Sequence, residues 1–251
     1  MDPVQPASSL FFKSKHALLE YAYYPSMNPS DKWVLLFPGL GGNCFSAKYL
    51  YPKIAASHHI LCFNLPFQGK TVVYHHHQNE SLGFAKAVHE LINQLKSTHN
   101  ISDLKLIGHS LGGIYAMDYA IDFSHELTEL LLLAPAGFSS KDQLFFRLCG
   151  KKWFKSILSN SLIIRYLAAK IWFIDDPVRR LAFEKQLKLS FTNVEGFDLS
   201  YRKRLHLLFK VSCPVQIIWA KDDPLSGYEN ASDVKNHFVY AKVELLNHGG
   251  H

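Results

Sequence analysis

The sequence predicts one α/β domain, with a mostly parallel sheet, helices on both of its faces and an inserted helical cap. Three observations predict this class: short apolar runs alternate with helical segments, the helical segments repeat apolar residues at three- and four-residue spacing, and glycine or proline follows several runs. Continuous apolar runs are typical of strands buried on both faces of a parallel sheet. The 251 residues are enough to bury such a core without disulfides or metal.

The predicted elements follow one another along the chain in a regular order. The run at 33–37 ends at Pro38-Gly39, as expected of a buried strand, and 81–96 has a helical apolar repeat. The predicted strands are 10–13, 17–24, 33–37, 60–65, 104–107, 129–134, 215–220 and 242–246. The predicted helices are 81–96, 111–120 and 228–238.

The alternation of strands and helices stops between Gly137 and Cys213, where only helical patterns appear. Asp176-Pro177, for example, is typical of a helix start. The same stretch is basic, with 15 Lys and Arg residues against 6 Asp and Glu residues in 139–210, whereas the whole chain has a net charge of +6. We therefore predict an α/β core formed by residues 1–138 and 211–251, and a helical cap formed by residues 139–210.

The strongest functional pattern is Gly108-His109-Ser110-Leu111-Gly112, which fits G-x-S-x-G between a predicted strand and a predicted helix. A nucleophilic serine needs a sharp turn that exposes its hydroxyl, and flanking glycines allow the strand and the helix to approach closely. The helix N-terminus would direct N–H groups at developing negative charge. The alternative is a chance match, which the surrounding strand and helix disfavour.

A serine hydroxyl also needs a base to take its proton and an acid to orient that base. Both residue types follow predicted strands, Asp222 and Asp223 after 215–220, and His248 and His251 after 242–246. Open α/β sheets have their sites at the carboxyl ends of their strands. The sequence order is therefore Ser, Asp, His. From the residues alone, either aspartate could be the acid and either histidine could be the base.

These motifs resemble the α/β-hydrolase superfamily, in its serine-nucleophile branch, over nearly the whole chain. Residues 35–42, Leu-Leu-Phe-Pro-Gly-Leu-Gly-Gly, are similar to the family's oxyanion loop, and residues 64–71 are similar to its D-x-P-G-x-G-x-S turn. Asn64, Phe67 and Ala220 replace the family's usual Asp, Gly and Gly, which indicates a divergent member.

The resemblance implies roles for particular residues. The family's acid lies three residues after a strand-end glycine, the position of Ala220, and its base follows glycine. The catalytic residues would therefore be Ser110, Asp223 and His251, and the oxyanion hole would be the backbone N–H groups of Leu40 and Leu111. The implied reaction is hydrolysis of a carboxylic ester or thioester through an acyl-enzyme intermediate, with no cofactor and no metal.

Other residues are candidates for substrate binding, with Gly39 and His109 beside the nucleophile and aromatic residues in the cap. The cap aromatics either pack on the sheet while charges face solvent, or line a pocket for an acyl or aromatic group. The candidates for the pocket wall are Phe145, Phe146, Trp153, Phe154, Trp172 and Phe173.

Three other functions stay open from the sequence. They are a non-catalytic binding protein that retains the fold, a C–C bond hydrolase or perhydrolase with the same triad, and a peripheral membrane lipase. The expected partners are a small ester or acyl substrate and an anionic lipid surface, because the predicted cap is basic. No nucleic-acid recognition motif is present, so nucleic acid is not expected.

Weaker patterns favour structural interpretations. Gly69-Lys70-Thr71 resembles the end of a phosphate-binding loop, but Asn64 stands where that motif needs glycine. His75-His76-His77 is expected to be a solvated loop, and Cys44 a packing residue. The four scattered cysteines and the lack of a signal-peptide pattern or a membrane-length apolar run predict a cytoplasmic location.

Overall fold

The computed structural model describes residues 8–74, 80–138, 148, 151–158, 160–170, 177, 180, 181, 183–185, 187, 188 and 199–251. The strands in these residues are β1 Leu10–Lys13, β2 Ala17–Tyr24, β3 Lys32–Phe37, β4 His59–Phe63, β5 Val72–Val73, β6 Asp103–His109, β7 Glu129–Leu133, β8 Val215–Ala220 and β9 Ala241–Leu246. The helices are α1 Tyr51–Ile54, α2 Glu80–Lys96, α3 Leu111–Phe123, α4 Lys152–Leu158, α5 Ser161–Lys170 and α6 Asn230–Asn236. Shorter 3₁₀ segments lie at Ser46–Tyr49 and Ser124–Glu126, and a longer one at Leu199–Lys210.

The strands form one sheet in the order β1-β2-β4-β3-β6-β7-β8-β9, and β5 pairs with β2. The pairs from β4 to β9 are parallel, whereas β2 is antiparallel to each of its partners. This confirms the α/β class and the mostly parallel sheet. The predicted strands agree with the observed ones to within two residues at each end. Strand β5 was not predicted, because two residues give too short an apolar run.

The sheet is covered on both faces, as continuous apolar strands require. On one face, α2 and α3 pack through interlocking aromatic rings, with Phe37 edge-on to Phe84 at 5.2 Å between ring centroids. The predicted apolar repeat of α2, which includes Val88 and Leu91, is buried there. On the other face a smaller apolar cluster contains Cys44, Tyr51 and neighbouring side chains. This double cover fixes the carboxyl edge of β3, β6, β7 and β8, where the candidate site lies.

Part of the predicted cap falls outside the described residues, so the division into core and cap stays a prediction. In the described part, Phe183 and Leu187 lie against the loop after β3. A Cβ atom at Gly41 would come 2.7 Å from the Phe183 ring and 3.4 Å from Leu187 Cδ1. Arg204 anchors the 3₁₀ segment Leu199–Lys210 to α3, through an ion pair of 2.7 Å with the buried Asp118 carboxylate.

Candidate active site

Ser110 lies at a sharp turn between β6 and α3. Its backbone has φ 50° and ψ −119°, a conformation that costs energy for a residue with a side chain. Backbone hydrogen bonds fix the turn, since Ser110 N–H donates to the Leu133 oxygen at 2.9 Å and the Ser110 oxygen accepts from Gly113 at 2.9 Å. Strain retained in this way is common at functional sites.

The two glycines of the G-x-S-x-G pattern are required by close approach. A Cβ atom at Gly108 would lie 2.6 Å from Cβ of Ala116 in α3, and one at Gly112 would clash with the main-chain oxygen of Phe37. Strand, turn and helix can therefore pack at this distance only when both positions lack a side chain.

The structure brings Ser110, Asp223 and His251 together. His251 Nε2 lies 2.7 Å from Ser110 Oγ, and His251 Nδ1 lies 2.8 Å from Asp223 Oδ2. The Asp223 side chain has no exposed surface and that of His251 is 4% exposed. With the proton on Nδ1 donated to the carboxylate, Nε2 is left to accept the hydroxyl proton of Ser110. This is the arrangement that activates a serine nucleophile.

Asp223 is itself fixed by its other oxygen. Asp223 Oδ1 accepts hydrogen bonds from the backbone N–H groups of Leu225 and Ser226, at 2.9 and 3.0 Å. The Trp219 indole in turn donates to the Ser226 carbonyl at 2.9 Å, which ties the acid turn to β8. A carboxylate oxygen held by two N–H groups cannot rotate away, so the other oxygen stays directed at the histidine.

Asp222 and His248 form a second pair, which the structure does not bring to Ser110. Asp222 Oδ1 accepts the N–H groups of Gly249 and Gly250 at 3.0 and 2.9 Å, and it lies on the surface with His248 Nδ1 3.6 Å from its other oxygen. The Gly250 hydrogen bond, foremost, lowers the pKa of the Asp222 carboxyl. Asp222 therefore shapes the loop that carries His251.

His109 lies between the loop after β3 and His251. Its Nε2–H donates to the main-chain oxygen of His251 at 2.6 Å. Burial, and next the neighbouring His251, lower the pKa of His109 to about 4, so the ring is neutral near pH 7. A Cβ atom at Gly39 would come 2.9 Å from His109 Nδ1 and 3.0 Å from Ser110 Cβ, so Gly39 packs directly on the turn. Gly39 and His109, two of the residues predicted to bind substrate, thus border the nucleophile.

The two amides predicted to form the oxyanion hole are available for a ligand. Leu111 is the first residue of α3, where an N–H group has no partner inside the helix. Within the described part of the chain, neither its N–H nor that of Leu40 has a hydrogen-bond acceptor. Their role in binding an oxyanion stays a prediction.

Sequence reasoning missed a residue that holds the Leu40 loop. Gln68 is fully buried, and its Nε2 donates to the Gly39 oxygen at 3.0 Å while its Oε1 accepts the Leu65 N–H at 3.0 Å. The motif at 64–71 placed Gln68 in the turn after β4. Only the fold shows that this turn reaches the loop after β3.

The same turn contains a second anchor for that loop. Asn64 Oδ1 accepts the N–H of Cys44 at 2.7 Å, and Asn64 Nδ2 donates to the buried Glu20 carboxylate at 2.7 Å. Thr71 accepts the Glu20 N–H at 3.0 Å, which gives the residues that resembled a phosphate loop a structural function. Cys44 is buried, and burial raises the pKa of its thiol to about 12, as expected of a packing residue.

The aromatic cap candidates are only partly described. Trp172, Phe145, Phe146, Phe173 and the histidines 75–77 lie outside the described residues. Trp153 is 58% exposed and its ring lies edge-on to Phe154 at 5.5 Å between centroids. This exposure disagrees with packing on the sheet, and a pocket-wall role for Trp153 and Phe154 stays a prediction. Among the side chains that are described, no group of three or more His, Cys, Asp or Glu is arranged to hold a metal ion.

Comparison with known proteins identifies the family of this chain. A family model described as alpha/beta hydrolase fold matches residues 32–157. The chain belongs to the alpha/beta hydrolase fold family. The solved structure of a bacterial membrane phospholipase A is 19% identical in sequence and superimposes with a TM-score of 0.74, over 97% of this chain and 79% of that protein. The fold therefore extends over nearly the whole of this chain.

Two relatives are named for an enzyme activity. Monoacylglycerol lipase ABHD6 from Mus musculus is 25% identical over an alignment of 215 residues, which covers 77% of this chain and 62% of the relative. A 2-hydroxy-6-oxo-6-phenylhexa-2,4-dienoate hydrolase from Comamonas testosteroni is 28% identical over 100 residues, 40% of this chain and 34% of that protein. The chain thus spans less than two thirds of the length of either. No helix in the described residues is long and apolar enough to span a bilayer.

Proposed function

We propose that this chain is a serine hydrolase that cleaves carboxylic esters of the lipid or acyl-ester class. The observation that carries the proposal is the His251 ring, which joins Ser110 Oγ at 2.7 Å and Asp223 Oδ2 at 2.8 Å. A chain of hydrogen bonds from serine through histidine to aspartate activates a hydroxyl as a nucleophile. The family and the similarity to a monoacylglycerol lipase support an ester as substrate.

The geometry favours acyl transfer in two steps, acylation of Ser110 and then hydrolysis of the acyl-enzyme. Ser110 Oγ attacks the ester carbonyl carbon as its proton passes to His251 Nε2, and the N–H groups of Leu40 and Leu111 hold the resulting oxyanion. When the tetrahedral species collapses, the C–O bond to the alcohol breaks and the alcohol oxygen takes the proton from His251. Water then attacks the acyl-enzyme as His251 takes its proton. Collapse releases the carboxylic acid and returns the proton to Ser110.

We propose a long-chain or aromatic acyl group as substrate. Phe183 and Leu187 lie against Gly41, so apolar side chains stand next to the proposed oxyanion hole. A buried methylene contributes roughly 0.8 kcal/mol, which favours a longer acyl chain over acetate. The test is a series of p-nitrophenyl esters from acetate to dodecanoate. We expect kcat/KM to rise with chain length beyond acetate, and a maximum at acetate would contradict this part of the proposal.

The Comamonas testosteroni relative supports a second candidate, C–C bond hydrolysis by the same triad. In that reaction the leaving group is a carbanion equivalent, which must be protonated at carbon rather than at oxygen. Assays with a vinylogous 1,5-diketone beside the ester series separate the two. A higher kcat/KM on the diketone would favour the second candidate, and turnover of neither substrate class would favour a non-catalytic binding protein.

We propose that the protein acts at an anionic lipid surface through α4 and α5. Trp153 and Ile157 are four residues apart in α4 and are 58% and 45% exposed, and Leu162 and Tyr166 are four apart in α5 and are 75% and 64% exposed. Each pair therefore lies on one exposed face of its helix. Exposed aromatic and aliphatic side chains on a basic segment are typical of interfacial helices.

Co-sedimentation with vesicles tests this surface, with the Ser110→Ala variant used so that lipid is not consumed. We expect more binding to phosphatidylglycerol vesicles than to phosphatidylcholine vesicles, weaker binding in high salt, and at least fivefold weaker binding after Leu162→Ser and Tyr166→Ser. Met27→Ser is the matched control, because Met27 is a 56% exposed apolar residue outside the basic segment. Equal binding by all variants would contradict the proposal. The cytoplasmic location expected from the sequence stays a prediction.

A further inference from the structure

We propose that Gln68 is a positioning residue that orients the Gly39–Leu40 peptide, so that the Leu40 N–H faces the reacting carbonyl oxygen. This inference rests on the proposed hydrolase function and assigns a role to a residue outside the triad and the oxyanion hole. The hydrogen bond from Gln68 Nε2 to the Gly39 oxygen, at 3.0 Å, carries it.

The physical link is the planarity of the peptide group. The Gly39 carbonyl and the Leu40 N–H belong to one trans peptide, so they point in opposite directions. A donor that fixes the carbonyl on one side therefore fixes the N–H on the other. Gly39 packs against Ser110, because a Cβ atom added at Gly39 would lie 3.0 Å from Ser110 Cβ. The Gly39–Leu40 peptide therefore borders the nucleophile.

The loop needs a restraint from outside because its own sequence restrains its backbone only weakly. Three of its residues, Gly39, Gly41 and Gly42, are glycines, which rotate about their backbone bonds at little cost. The turn bond from Gly42 N–H to the Gly39 oxygen, at 3.0 Å, holds the carbonyl from within the loop. Gln68 holds the same oxygen from outside the loop, through its second lone pair.

Gln68 itself is built into a rigid position. Its Oε1 accepts the Leu65 N–H, so the amide orientation is fixed by a donor on one side and an acceptor on the other. The flanking residues Phe67 and Gly69 have φ angles of 63° and 54°, and Phe67 adopts this conformation despite its side chain. The turn therefore retains a strained backbone that directs one buried amide at one carbonyl. Electrostatic catalysis depends on dipoles fixed in advance in this way.

The test is Gln68→Met, which keeps the length of the side chain and removes both hydrogen bonds. The matched control is Thr71→Val, which removes a buried hydrogen bond of the same turn, to Glu20, without touching Gly39. Removing an oxyanion-hole donor costs about 100- to 1,000-fold in kcat, and a misaligned donor should cost less. We expect kcat to fall about 10- to 100-fold in Gln68→Met with KM nearly unchanged, and less than about threefold in Thr71→Val.

The second readout is the inhibition constant of a trifluoromethyl ketone, whose adduct with serine carries the oxyanion. We expect this constant to rise by the same factor as kcat/KM falls, while the acid limb of the pH profile stays in place. Gln68→Asn keeps the amide but is one methylene too short for both partners, and the same outcome is expected of it. Folded variants that retain wild-type kcat and inhibitor affinity would overturn the inference. A wild-type chain that neither binds the ketone nor hydrolyses esters would instead overturn the proposed function.

Discussion

Two aspartate–histidine pairs lie side by side at the carboxyl end of the sheet, and they differ in almost every physical respect. The pair Asp223 and His251 is buried, with 2.8 Å between its atoms and Ser110 at its far end. The pair Asp222 and His248 is on the surface, with 3.6 Å between its atoms and 89% exposure of the His248 side chain. Residue type and spacing are similar, so burial and the position of the serine distinguish them.

The comparison shows that the two aspartates of one short turn have different partners. Buried charges interact strongly and resist screening, whereas exposed pairs contribute little. Asp223 therefore orients an imidazole, while Asp222 fixes the backbone of Gly249 and Gly250. Making the same substitution in each pair is the direct way to test whether the two pairs differ in function.

The largest difference is expected between the histidines. His251→Gln removes the proposed base and should lower kcat by about 100,000-fold or more, because loss of the base costs about as much as loss of the whole triad. His248→Gln should leave kcat within about twofold of wild type. Steady-state hydrolysis of a p-nitrophenyl ester measures both. Equal losses in the two variants would show that the pairs do not differ in function.

The aspartates should differ in the same direction but less. Asp223→Asn alters the hydrogen bond that selects the histidine tautomer, and a loss of about 1,000- to 10,000-fold in kcat is expected from the known behaviour of such triads. Asp222→Asn keeps an oxygen that can accept the loop N–H groups, so a loss of less than about tenfold is expected. Thermal unfolding of both variants controls for folding. A greater loss in Asp222→Asn would reverse the assignment.

His109 provides the smallest expected effect, on stability rather than on rate. Its pKa is about 4 in the folded chain, below the ordinary value of about 6.5, so the unfolded chain takes up the proton first as pH falls. Above pH 7 His109 is neutral in both the folded and the unfolded chain, so its lowered pKa does not change the free energy of unfolding. As the pH falls from about 6.5 to about 4, the free energy of unfolding decreases. Partial solvent contact of the His109 ring limits the total decrease to about 2 kcal/mol.

The measurement is urea unfolding of wild type and His109→Asn at pH 7.5 and pH 4.5. Other titrating groups, including His59, whose pKa burial lowers, are common to both proteins and cancel in the comparison. We expect the free energy of unfolding to fall about 2 kcal/mol less in His109→Asn between the two pH values. Identical losses in both proteins would mean that His109 is not held neutral by the fold.

The features of the fold and the site that depend on local sequence pattern could be predicted from the sequence. Apolar runs predicted the strands and the parallel sheet, and the G-x-S-x-G turn with its strand and helix predicted the position of Ser110. The choice of Asp223 over Asp222 came from resemblance to the family, because both carboxylates follow the same strand. The hydrogen bond from Gln68 to Gly39 joins residues 29 positions apart, and that from His109 to His251 joins residues 142 apart. Contacts at such separations depend on the register of the whole sheet, which no local pattern specifies.

The exposure of Trp153 illustrates the same limit in the cap. An aromatic residue on an amphipathic helix is expected to pack inward, and the sequence alone cannot tell which face of the helix meets the core. The structure shows Trp153 58% exposed. Positions fixed by backbone geometry could thus be predicted from the sequence, whereas positions fixed by packing between distant segments could not.

Labelling with a fluorophosphonate, followed by mass spectrometry of the peptides, tests the central claim most directly. The serine oxygen displaces fluoride from phosphorus and leaves a stable adduct at the activated residue. The account predicts one adduct, at Ser110, that is absent in Ser110→Ala and formed at least 100-fold more slowly in His251→Gln than in His248→Gln. An adduct at another residue, or none on the folded wild-type chain, would contradict it.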